Sequence, residues 1–80
     1  MKIPAIKKIV DLYNLDQLDE AEMAIINEME PEIEIEGEDD GEQLTHIFAA
    51  KFILEEMENS RCDFKTALRK YTEKVRSSIN

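Results

Sequence analysis

Cysteine, tryptophan, glycine and proline are scarce in this chain, and its middle has no basic residues. Cys62 is the single cysteine, which excludes an intramolecular disulfide framework and fits a reducing, cytoplasmic compartment. Tryptophan is absent, and the two glycines and two prolines leave no low-complexity linker and no Gly-rich, aromatic-interleaved platform for nucleic acid. No stretch of about 20 uninterrupted apolar residues is present to span a bilayer. The opening MKIPAIKKIV is too short in its apolar run, and too broken by lysine, for a signal peptide. One histidine, His46, makes no zinc site by itself. No catalytic or cofactor signature rises above background, and no cofactor is expected.

What is present is a folding composition with an uneven charge. Eighty residues make one domain, and a domain of this size buries only about two thirds of the surface of its unfolded chain, so association would add stability. The apolar share of 42% is near the globular norm, so the chain is expected to fold despite a net charge of -9. From Asp11 to Ala50 there are fourteen Asp or Glu and no Lys or Arg, whereas Met1 to Val10 carries Lys2, Lys7 and Lys8 without an acid. Residues 59–80 carry six bases against Asp63 and Glu73. The plain expectation is that the basic ends offset the acidic middle within the fold or an oligomer. The sharper one is an acidic surface for a basic partner.

The segment Leu44–Met57 is apolar around most of a helix circumference, interrupted only by Thr45, His46, Lys51, Glu55 and Glu56. Such a helix needs neighbours on several sides, and the other segments each offer one apolar stripe. Ile3, Ile6, Ile9, Val10 and Tyr13 mark a first helix over 3–13, with Pro4 in its first turn. Asn14 and Gln17 form a capping box, with Tyr13 and Leu18 as a hydrophobic staple, and open a second helix over 14–30 that Pro31 ends. Leu15, Leu18, Ala21, Ile25, Ile26 and Met29 are its expected buried stripe. The central helix is expected over 41–58 with Asp40 as N-cap, and a last one over 63–78 with Asp63 as cap and Phe64, Ala67, Leu68, Tyr71, Val75 and Ile79 as its stripe.

Between the second and third helices the period falls to two. Ile33 and Ile35 alternate with Glu32, Glu34 and Glu36, the pattern of a short half-buried strand over 31–36. A lone strand leaves its backbone groups unpaired. It either pairs with the same segment of another subunit or lies as a solvated arm over the helices. The expected fold is therefore all-α, one domain over 1–80: four helices around a central apolar helix, the first two forming a hairpin, with one short extended or β-like arm. Homodimerisation is expected, with Ile33, Ile35, Phe48 and Phe52 as contacts.

Few residues offer chemistry. Laid on a calcium loop, Glu36, Glu38 and Asp40 take positions 1, 3 and 5 and Gly41 position 6, but Ile47 stands where a bidentate acid is needed. Glu22 is the one carboxylate inside an apolar stripe, and His46 the lone imidazole on an apolar face. A Glu22 to His46 contact across the two helices is the pairing to test, although Lys51 or a backbone group would serve Glu22 equally well. Cys62 follows Arg61 near a helix start, which lowers a thiol's pKa, while Asp63 works in the opposite direction. The basic last helix flanks its stripe with Lys65, Arg69, Lys70, Lys74 and Arg76, but the net charge opposes nucleic-acid binding.

The stretches EPEIEIEGEDDGEQLTHIFAA and DFKTALRKYTEKVRSSI, with the IPAIKK start and the Tyr13-Asn14-Leu15 corner, resemble a family of short, acidic, uncharacterised bacterial proteins, mostly from the Bacteroidota, over nearly the full length. That family has no assigned activity, so the resemblance implies a bacterial, cytoplasmic, single-domain protein and no site residue. The resulting expectation is a non-enzymatic, homo-oligomeric interaction or structural protein. The alternatives are an acidic binding module or nucleic-acid mimic for a basic protein partner, and a small enzyme with a His46/Glu22 site.

Overall fold

The computed structural model describes residues 2–78, so Ile79 of the last stripe lies outside the described residues. Four helices follow in order: α1 (Ile3–Leu12), α2 (Leu15–Ile26), α3 (Asp40–Ser60) and α4 (Phe64–Ser78). Each of α1, α2 and α4 packs against α3, and they make at most slight contact with one another. The first two helices are thus neighbours on α3 and not a hairpin packed on itself. The reason lies in α3, whose apolar residues point in too many directions for one partner to cover. Ile47, Ala49, Ala50 and Ile53 are fully buried on it, facing Ile6, Ile9, Leu18, Ala21 and Ala67 in one core.

Local chemistry fixes the ends. The Asn14 Oδ1 accepts from the Gln17 amide at 2.9 Å while Gln17 Oε1 accepts from the Asn14 amide at 3.0 Å, the reciprocal capping box the sequence predicts. Asp39, one residue earlier than expected, caps α3 by accepting from the Glu42 amide at 2.7 Å. Asp63 caps α4 through the Thr66 amide at 2.9 Å, and that amide holds its carboxyl below the ordinary 3.8. At the far end of α3, Arg61 adopts a left-handed φ of 50° and stops the helix. No helix among the described residues is long and apolar enough to cross a membrane.

The second helix ends four residues before the expected boundary at 30. Glu28 takes a left-handed φ of 59°, its amide donates to Ile25 O at 3.0 Å, and the Met29 amide reaches back to Ala24 O at 2.7 Å. These two bonds are the Schellman closure. Ile26 and Met29, expected in the stripe, are consequently 54% and 67% exposed.

The β-like arm expected at 31–36 is overturned, because no strand exists among the described residues. The alternation of burial survives: Ile35 is buried, Ile33 half-buried, and Glu32, Glu34 and Glu36 exposed. What replaces a ladder is α3 itself. Gln43 Nε2 donates to Ile35 O at 3.3 Å, His46 Nδ1 bonds Glu36 O at 2.7 Å, and the chain bends at Glu32 and Ile33. Gly37 completes the fit with φ 156°: a Cβ there would stand 2.8 Å from the Gln43 amide nitrogen, which belongs to the first turn of α3. The segment is a strap held to the start of the central helix.

Candidate functional site

Two polar side chains on α3 position the surface around them. His46 is completely enclosed, and its ring has a bond at each nitrogen: Nε2 accepts from the Lys2 amide at 3.0 Å and Nδ1 donates to Glu36 O. The assignment follows from the partners, since an amide N–H can only donate and a carbonyl can only accept. The neutral Nδ1–H tautomer therefore ties the start of α1 and the end of the strap to α3. Lys51, less than two turns on, has a side chain 25% exposed and reaches Asp19 at 2.6 Å and Glu22 at 2.8 Å on α2. The hydrogen bond Lys51 donates to Asp19, then the one it donates to Glu22, pushes its ammonium above the ordinary 10.5.

The expected Glu22 to His46 pair is thus not formed. Glu22 belongs to Lys51, one of the partners open to it from the sequence, and His46 belongs to two backbone groups that no sequence pattern displays. With both nitrogens engaged and no exposed surface, the imidazole has no path to a substrate. The calcium-loop spacing dissolves as well, because α3 starts at Asp40, Asp39 and Glu42 spend oxygens on amides at the cap, and Glu36 gives its carbonyl to His46. Cys62 is half-buried, its thiol directed to Glu56 O at 3.6 Å.

Of the four expected oligomer contacts, two are used within the chain. Ile35 is in the core, and the Phe52 ring lies 5.4 Å from that of Tyr71 with Lys74 5.0 Å above it. Burial pushes the Tyr71 phenol above its ordinary 10.0. Phe48 remains 47% exposed, and Ile33 lines a groove.

That groove is what the sequence did not reveal. It occupies about 650 Å³ between the end of α2 and the strap, with Ile25, Met29, Ile33 and Ile35 among its walls and Glu28, Glu30, Glu32, Glu34 and Asp40 around them. A smaller hollow of about 270 Å³ continues from Met29, Glu30, Glu32 and Ile33 to Ala21, Ala24 and Glu20 on α2. Its charge is uncompensated. Residues 28–42 hold nine acids and no base, and the ion pairs among the described residues, Lys7–Asp11, Lys51–Asp19, Lys51–Glu22 and Lys70–Glu56, touch none of them. Within the single chain the basic ends do not offset this part of the acidic middle by ion pairing: on α4, Lys70 pairs with Glu56 of α3, and no ion pair among the described residues joins α4 to residues 28–42.

Fold and groove together define a small helical domain with an open acidic cleft and no assembled catalytic group among the described residues. Residues 1–80 match a family of unknown function, DUF6952, and the chain belongs to that family. No curated protein and no solved structure matches it.

Proposed function

We propose that this protein is a non-enzymatic interaction module whose groove receives a cationic, apolar-anchored segment of a protein partner, in a bacterial cytoplasm. The observation that carries the reading is that Glu28, Glu30, Glu32, Glu34 and Asp40, none of them in an ion pair among the described residues, line a groove whose apolar wall includes Met29, 67% exposed. Like charges crowded on a strap repel one another, and a cationic ligand relieves that repulsion while Met29 and Ile33 supply apolar contact. The same field works against a nucleic-acid ligand.

A fluorescent amphipathic peptide of lysine and leucine, titrated against the full chain by anisotropy, tests this. Binding is expected to weaken about tenfold or more between low salt and 0.5 M salt, and to be lost on combined Glu30→Lys, Glu32→Lys and Glu34→Lys, with Glu55→Lys on α3 as a control that keeps it. Binding that ignores the three reversals overturns the proposal.

A further inference from the structure

The chain carries a complement to its own groove. On α4, Lys65, Arg69 and Arg76 are exposed and take part in no ion pair among the described residues. At about 100° per residue, positions 65, 69 and 76 fall within about 40° of one another, so the three cations form one row about 16 Å long. The opposing row is Glu30, Glu32 and Glu34 on the strap, all exposed and all lining the groove. The strap bends at Glu32 and Ile33, so Glu30 to Glu34 spans at most about 13 Å, against about 6 Å from Lys65 to Arg69 and about 10 Å from Arg69 to Arg76. Val75, 40% exposed beside the cationic row, matches Met29 and Ile33 in the groove as an apolar anchor.

Resting on the proposed role of the groove, we infer that its occupant is α4 of a second copy of this chain, with Lys65, Arg69 and Arg76 laid along Glu30, Glu32 and Glu34. Because each copy has both rows, a two-fold arrangement makes the contact twice. Two molecules of net charge -9 repel at long range, but that repulsion is screened beyond about 8 Å at physiological salt, whereas contacting rows lie inside this distance.

Sedimentation velocity on the full chain over a concentration series tests the inference. The unsubstituted chain is expected to dimerise and to dissociate as salt rises. A variant with Lys65→Glu, Arg69→Glu and Arg76→Glu, and a second with Glu30→Lys, Glu32→Lys and Glu34→Lys, should each self-associate about 100-fold more weakly, since like charges then face each other. An equimolar mixture of the two variants should recover a 1:1 dimer. All six positions are exposed, and circular dichroism verifies that both variants keep their helices. A chain that stays monomeric at every concentration, or a dimer that persists in both variants, overturns the inference. If the lysine and leucine peptide still binds such a monomer through the strap, only the identity of the occupant has failed; if it does not, the groove proposal fails with it.

Discussion

His46 and Lys51 both fasten the central helix to its neighbours, by different physics. His46 is itself sealed from water and holds two backbone groups, those of Lys2 and Glu36, with a neutral ring in part-buried bonds, so removing it leaves a cavity and two main-chain groups without their partner. Lys51 holds two carboxylates at the surface, where Asp19 has a side chain 57% exposed and water and salt weaken the attraction. The difference teaches that formal charge is a poor guide to what matters in this fold. The neutral contact organises three chain segments, while the charged one joins two helices that packing already brings together.

Breaking the stronger side of the comparison comes first. His46→Ala is expected to cost about 3 kcal/mol, from the cavity and from orphaning Lys2 N–H and Glu36 C=O, as read by urea unfolding. Lys51→Met should cost about 1 kcal/mol, and equal losses in the two variants would erase the distinction drawn here. High pH sharpens it. Lys51 is raised above 10.5 in the folded chain, so its contribution is whole below that unfolded value and is lost as pH rises through the folded one. Tyr71, raised by burial from 10.0, loses stability in the same alkaline direction. Thermal unfolding from pH 9 to 12 should therefore show a decline that Lys51→Met reduces but does not remove. The smallest effect belongs to Glu22→Gln, about 0.5 kcal/mol, against a change near zero for Glu20→Gln, whose carboxylate has no ion pair among the described residues.

Periodicity made the four helices legible, and hydrogen-bonding side chains made two of their caps legible. Asn14 with Gln17, and Asp63, declare themselves because the capping atom is the side chain itself. The end of α2 was hidden because its left-handed position holds Glu28, where a glycine would have announced it, and Pro31 drew the boundary downstream. The strap shows a related limit. Alternating Ile and Glu report which residues are buried, and they are, but they say nothing about which groups take the backbone hydrogen bonds. His46 was recognisable as an anomaly on an apolar face, whereas its partners are main-chain atoms that carry no residue label. The groove depends on where α2 stops and where the strap bends, so it could not be drawn before those were known.

Glu28 sets folding stability at that hidden boundary against the recruitment proposed for the groove. A left-handed residue other than glycine strains the backbone by about 1 kcal/mol, so Glu28→Gly is expected to make the chain fold more stably by that amount. The same exchange deletes a carboxylate from the lip of the acidic cleft. A chain altered in this way should be the sturdier protein and, on the proposed reading of the groove, the weaker binder of a cationic segment.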